Sequence, residues 1–377
     1  MAKKCILTTY AGSLPRPAKL VELYAARAGG ATIDEAVLIR KGEAATRWGV
    51  DRQREAGVDI PSNDEQLREA FFLYVQRRMT GFSRKWKRPH GDELASYPEY
   101  ADLRRRQIAD SPLVNFTSPM ATGPVTYADT DANEAELSTF ADALQKVGGN
   151  FTVAFMTAPS PGIVAAAMKN EHYPSDDDYL DALGEALRVE FEVAHRHGYL
   201  LQIDAPDLAL KRHLSYADRP IGDFVRFVER VITRINTALR NVPRERVRLH
   251  VCWGNYESLR DILPAILEAD VGAFLLPFAN PRHQHEIKLS RDAPLGTGQS
   301  LIVGVIDTLT NFVEHPEVIS DRLERAAEMV GDPTRILAGT DCGFDTSAGM
   351  GRVTADIVWA KLQALKEGAE LAGSRLF

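Results

Sequence analysis

At 377 residues with 45% hydrophobic and 26% charged positions, the chain has ordinary globular composition and a formal net charge of −7. It has no basic stripe of the kind that grips nucleic acid, no apolar run near the roughly 18 residues of a membrane span, and no signal-peptide core behind its two N-terminal lysines. Cysteine occurs only at Cys5, Cys252 and Cys342, too few for a disulfide framework, which points to a reducing, cytoplasmic setting.

The first predicted element is a strand from 5 to 10, favoured by Thr8, Thr9 and Tyr10 and ended by Gly12, Pro15 and Pro17. Helical spacing follows over 33–56, with Ala36, Ile39, Ala44 and Val50 on the apolar stripe. A second strand begins at 57 and exits through Asn63, Asp64, Glu65 and Gln66, after which 67–79 returns to a helical period. Residues 81–111 are polar, charged and aromatic without a clean period. They read as an inserted lid and contain the basic cluster Arg84-Lys85-Trp86-Lys87-Arg88. The stretch 113–127 carries Ser118-Pro119 and Gly123-Pro124 between β-prone residues, which predicts a small hairpin excursion. The insertion as a whole covers 81–130.

Six further strand-like runs follow, at 151–157, 199–204, 247–252, 273–278, 301–307 and 335–342. Helical stretches at 134–147, 179–197, 223–241, 259–268 and 316–330 separate most of them, and 354–367 closes the chain. Continuous apolar strands alternating with helices predict a parallel sheet covered on its outer faces. Eight such units predict an α/β fold, a single-domain (β/α)8 TIM barrel over 1–377. A doubly wound open sheet is the alternative, but no G-x-G-x-x-G follows the first strand. Polar residues gather at the strand ends, among them Ser13, Glu65, Asp204, His250, Asp307 and Asp341, on the rim where barrel active sites lie.

The sharpest feature is His250-Val-Cys252. In a strand, i and i+2 share a face, so an imidazole and a thiolate can meet at one point. Cys342 ends another apolar run. Two sulfurs and one nitrogen suit zinc and leave at least one coordination position open, as catalytic zinc sites do. An open zinc polarises a carbonyl, activates water or binds a substrate thiol, and a thiolate-rich site suits the last, because coordination ionises a thiol that is mostly protonated at neutral pH.

Gly12-Ser13-Leu14-Pro15, Asn63-Asp64-Glu65, Gln202-Ile203-Asp204-Ala205-Pro206, His250-Val251-Cys252 and Asp341-Cys342-Gly343, in this order, resemble the catalytic barrel of cobalamin-independent methionine synthase. The resemblance extends to its single-domain relatives, including the epoxyalkane:coenzyme M transferases, and covers nearly the whole chain. It implies a (β/α)8 barrel and a Zn2+ ion that activates a small-molecule thiol toward an alkyl donor. His250, Cys252 and Cys342 fall on the zinc ligands. Ser13, Glu65 and Asp204 fall on positions that hold the amino-acid thiol. Ser13 also reads as a turn cap, and Glu65 as a dipole-complementing helix start.

Two positions depart from that pattern. Pro277 stands where methionine synthase places a glutamate ligand, with His283, His285 and Glu286 close behind as substitutes. Leu309 stands where a histidine protonates the leaving folate. The expected activity is zinc-dependent S-methyl or S-alkyl transfer to a thiol. The expected donor entrance is near Trp86, Tyr127 and Trp253, with Asp204 and Asp307 as catalytic carboxylates. For an epoxide donor, Tyr127, His283 or Asp307 would supply the acid. The alternatives are an epoxide:thiol transferase, a zinc hydrolase or lyase using Asp307 or Asp341 as base, and a non-catalytic zinc-binding barrel. Neither nucleic acid nor membrane is an expected partner, and a homo-oligomer stays open.

Overall fold

The computed structural model describes residues 5–87, 97–109, 117–252 and 259–377. Two sheets are present among them. A two-stranded antiparallel ribbon joins β1 (Phe82–Lys87) to β2 (Thr117–Ala121). A six-stranded parallel sheet runs β3 (Phe155–Pro159), β4 (Leu200–Asp204), β5 (Val247–His250), β6 (Ala273–Pro277), β7 (Ser300–Ile306) and β8 (Ile336–Thr340), each beside its sequence neighbour.

The strands run parallel because helices carry the chain back across the sheet. The helix Asp176–Arg196 links β3 to β4, Ile221–Ala238 links β4 to β5, and Pro316–Val330 links β7 to β8. The helix Ile221–Ala238 buries Phe224, Phe227, Val228, Val231, Ile232 and Ile235, a stripe at three- and four-residue spacing. Ser175 caps Asp176–Arg196 by accepting from Asp178 N, and three aspartates occupy its first turn, where the helix dipole favours negative charge. No described helix is long and apolar enough to cross a membrane.

The two strands expected at 5–10 and from 57 do not form continuous strands. Single hydrogen bonds replace ladders: Ala338 N to Leu7 O at 2.9 Å, Thr9 N to Ala338 O at 2.9 Å, Ile60 N to Thr8 O at 3.0 Å and Phe155 N to Pro61 O at 2.9 Å. The reason is local. The Asp59 carboxylate takes the Thr8 N–H at 2.8 Å, and Pro61 has no N–H to give. The expected helix at 67–79 is mostly turns, with one helical turn at Val75–Arg78, and a helix at Ala18–Ala28 was not anticipated.

The insertion also differs from expectation. β2 pairs back with β1 rather than forming a hairpin within 113–127, so the ribbon frames the expected insertion from both ends. Thr80 N donates to Thr126 O, and Ala128 N and Asp129 N both donate to Arg78 O, which closes its base. Residues 88–96 and 110–116 of the insertion lie outside the described residues.

A buried ionic cluster ties this base to the large sheet. Arg68 Nε donates to Glu136 Oε1 at 2.8 Å. Arg78 donates to Glu136 and approaches Glu190 at 3.4 Å. Tyr74 and Tyr127 donate their hydroxyls to Glu190. Arg68, Glu136 and Glu190 are at most 2% exposed. Burial pushes the Glu136 carboxyl up, but the charges and hydrogen bonds of Arg68 and Arg78 outweigh it and hold it down at about 2.

The turn Asn63-Asp64-Glu65 packs beneath the helix Glu35–Glu55. Tyr10 and Gln53 both donate to Asp64 Oδ1, and a Cβ at Gly49 would lie 1.9 Å from Asp64 Oδ2. Only glycine lets that carboxylate lie against the helix.

Two stability predictions follow from these contacts. Glu136→Gln strands two buried guanidiniums and should cost about 3–5 kcal/mol in urea unfolding. Because the Glu136 carboxyl is depressed in the fold, its contribution is full above its ordinary value of 4.5 and is lost as pH falls toward about 2. Acid titration of the wild type should therefore show a component missing from the variant. Gly49→Ala gains about 1 kcal/mol of helix propensity but must break hydrogen bonds to a buried carboxylate worth about 1–3 kcal/mol each. A net loss in unfolding free energy is expected.

Candidate active site

The C-terminal ends of β4, β5 and β8 and the turn after residue 10 surround a cavity of about 190 Å³. Ser13, Glu65, Asp204, His250, Cys252 and Cys342 all line it. Phe71, Phe72, Ile163 and Leu210 make its apolar side. Residues remote in sequence thus meet because parallel strands deliver their C-terminal ends to one rim.

His250 ends β5, and Cys252 follows two residues later, just past the strand, with both lining the cavity. The His250 Nδ1 lies 3.2 Å from Leu275 O. A carbonyl only accepts, so Nδ1 carries the proton and Nε2 keeps the lone pair. Burial lowers the His250 pKa to about 4, so the ring is neutral at neutral pH. Cys342 follows β8. Its thiol is in hydrogen-bond contact with Cys252, and that contact, then burial, raises its pKa well above the ordinary thiol value. Neither cysteine is in a disulfide.

Glu65 and Asp204 bring two carboxyls into the same cavity. Burial raises both pKa values. The Glu65 charge raises Asp204 further, while Arg68 and Arg16 pull Glu65 down. Glu65 sits at φ +58°, as does Asp64, a left-handed conformation that costs on the order of 1–3 kcal/mol per non-glycine residue. Several hydrogen bonds hold the turn. Glu65 N donates to Asn63 Oδ1 at 3.1 Å, and Arg16 Nη2 donates to Glu65 O at 2.9 Å. Glu65 Oε1 accepts from Thr157 at 2.9 Å, whereas Oε2 is buried without a hydrogen-bond partner. Ser13 Oγ is buried and unpartnered too, and Gly12, at φ +123°, keeps a side chain from meeting Thr157 Cγ2 at 2.5 Å.

Other expected positions do not line the cavity. Tyr127 donates to Glu190 at the insertion base. Asp307 Oδ1 accepts from Leu309 N at 2.7 Å, capping the turn after β7. Asp341 spends both oxygens on backbone N–H groups, Phe278 and Ala279 on Oδ1 and Asn280 on Oδ2, which shapes the loop after Pro277. Glu286 accepts from Leu259 N and meets His283 Nδ1 at 2.9 Å, and His285 is exposed; none of the three lines the cavity. Trp253 lies outside the described residues. Sequence reasoning missed Phe71, Phe72 and Thr157. Thr157 was detectable as a hydroxyl in an otherwise apolar strand.

Among the described residues, no three His, Cys, Asp or Glu side chains are gathered closely enough to hold an ion as they stand. The chemistry of the donor set nevertheless fits zinc: two thiols already in contact and a neutral imidazole with Nε2 available, all lining one cavity.

Comparison with known proteins places the chain. Residues 6–363 match the family model for the cobalamin-independent synthase catalytic domain. The methionine synthase of Pyrococcus furiosus is 25% identical over 346 residues, covering 89% of this chain and 86% of the relative. That of Pyrococcus horikoshii is 23% identical over 377 residues, covering 98% and 93%. A solved B12-independent methionine synthase from Shewanella sp. W3-18-1, in complex with selenomethionine, has the same fold at a TM-score of 0.73 and 20% identity, covering 99% of both chains. The chain is therefore a member of the cobalamin-independent synthase catalytic-domain family.

Proposed function

We propose that this protein is a zinc-dependent S-alkyltransferase that methylates an amino-acid thiol such as homocysteine. The observation that carries the reading is that Cys252, Cys342 and His250 line one cavity with the carboxyl pair Glu65 and Asp204. Zinc held by His250, Cys252 and Cys342 would supply Lewis acidity that lowers a substrate thiol's pKa from about 8.5, making its sulfur nucleophilic at neutral pH.

The remaining work falls to the chain itself. Glu65 and Asp204 are two carboxyls sharing a buried space, and each raises the energy of the other's charge. An ammonium between them relieves that repulsion and satisfies Glu65 Oε2. Ser13 Oγ offers a hydrogen bond to the polar end of the same substrate. Phe71 and Phe72 cover the other side and exclude water from the sulfur. Alkylation then forms one carbon–sulfur bond as the donor's bond to that carbon breaks, and its leaving group keeps the electron pair.

The same carboxyl pair separates this reading from the epoxide:thiol alternative. A sulfonate thiol of the coenzyme M kind would place a negative charge beside Glu65 and Asp204. A hydrolytic role is less well supported, since Asp307 and Asp341 are occupied by backbone N–H groups away from the cavity.

The reading extends to architecture and setting. Hydrogen bonds from Ala338 through Leu7 and Thr9, then Thr8 to Ile60 and Pro61 to Phe155, support closure of the sheet into a (β/α)8 barrel. We take 1–377 as one domain with 81–130 as its insertion. Free, touching thiols suit a reducing cytoplasm.

Cys252→Ser and Cys342→Ser should each reduce zinc, measured by elemental analysis, from about one ion per chain to near none. Both should abolish methyl transfer to homocysteine from a folate or other methyl donor, while Asp307→Asn keeps its zinc. A purified wild type that binds no zinc would defeat the proposal.

A further inference from the structure

One layer below the rim, the interior of the sheet is polar where barrels of this class are filled with branched apolar side chains. Thr157, Gln202 and Arg248 lie side by side in register across β3, β4 and β5. All three are buried, and Gln202 is fully inaccessible. Each has an identifiable task. The Thr157 hydroxyl donates to Glu65 Oε1 at 2.9 Å, and Thr157 is itself gripped by Arg68 Nη1, at 2.8 Å to its carbonyl and 3.1 Å to its Oγ1. Because Arg68 Nη1 donates to Oγ1, the hydroxyl's own proton is directed to Glu65.

Gln202 Nε2 donates to Asp204 Oδ1 at 2.7 Å and to Ala11 O at 2.7 Å. Both partners are acceptors, which sets the orientation of the amide. Arg248 donates to Thr9 Oγ1 at 2.9 Å and Tyr10 O at 3.0 Å, and stacks on Phe155 at 3.5 Å. It seats the first segment of the chain, whose Ala11 carbonyl holds Gln202 in turn.

We propose that Thr157 and Gln202 are positioning residues for the thiol substrate's ammonium. Thr157 ties down one oxygen of Glu65 and Gln202 one oxygen of Asp204, so that the remaining oxygens face the cavity at a fixed separation. A carboxylate with a free χ rotation would have to be ordered when the substrate arrives. These two are ordered beforehand, and the ordering cost is removed from binding. The inference rests on the reading of Glu65 and Asp204 as the ammonium site.

The test compares two probes by calorimetry on the purified full chain: homocysteine, and 4-mercaptobutyrate, which has the same skeleton without the amine. Thr157→Val keeps shape and removes the hydroxyl, and Gln202→Met keeps length and removes the amide. Each should weaken homocysteine binding about tenfold, the worth of a hydrogen bond to a charged group. Binding of 4-mercaptobutyrate should not change, and Thr157→Ser should restore wild-type affinity. A merely structural role would weaken both probes alike, or leave Thr157→Ser as impaired as valine, and either result overturns the proposal. Glu65→Gln separates the two levels. If it leaves the preference for the amine intact, the ammonium site itself is wrong. If it removes the preference while Thr157→Val and Gln202→Met do not, the site stands and the positioning role falls.

Discussion

Keeping two carboxyls next to two thiols in a nearly water-free space is the constraint on which this molecule turns. Burial penalises every charge placed there, and Glu65 and Asp204 each make the other's ionisation harder. Such a pair is stable only if each oxygen that can be satisfied from the protein is satisfied. Thr157 and Gln202 do this from below, and Arg68 holds Thr157 in place. Glu65 Oε2 and Ser13 Oγ are buried without a hydrogen-bond partner, and both residues line the cavity. Those two groups leave hydrogen-bonding capacity where a ligand can use it.

The backbone carries part of the same burden. Asp64 and Glu65 both adopt left-handed conformations, and the turn persists because its surroundings over-determine it. Asn63, Arg16, Tyr10 and Gln53 each hold one of its polar groups, and Gly49 leaves room for one carboxylate. The buried cluster of Arg68, Arg78, Glu136 and Glu190 stands directly behind. It contributes little net stability for its size, because desolvation of four charges offsets much of their attraction. Its value is in fixing where Arg68 lies.

Much of the site was legible in the sequence because period-two geometry is a strong inference. His250 and Cys252 had to share a face, and the apolar runs ending in Asp204 and Cys342 had to end at the same rim if the sheet was parallel. The six strands from β3 to β8 were readable for the same reason: each is a continuous apolar run with a helix beside it. The first two were overcalled, since Thr8 has strand propensity but Asp59 intercepts its N–H, a long-range side-chain event that no local pattern reveals. The partner of β2 was misassigned because antiparallel pairing across an insertion depends on where the two ends meet. Asp307 and Tyr127 were credible from type and position alone. Only the folded chain shows that Leu309 N and Glu190 already claim them.

The ribbon has a consequence for how this scaffold can change. Arg78 and Tyr127 bracket it, and Met79 bridges directly to Tyr127, so the chain leaves and rejoins the scaffold there at adjacent points. Loop-closure entropy rises only slowly with length. Segments of quite different length and composition can therefore be exchanged there during evolution without re-threading the rest of the chain. The limit on such exchange is at the junction: a replacement must leave Arg78 and Tyr127 in place against Glu190, or the disturbance passes inward.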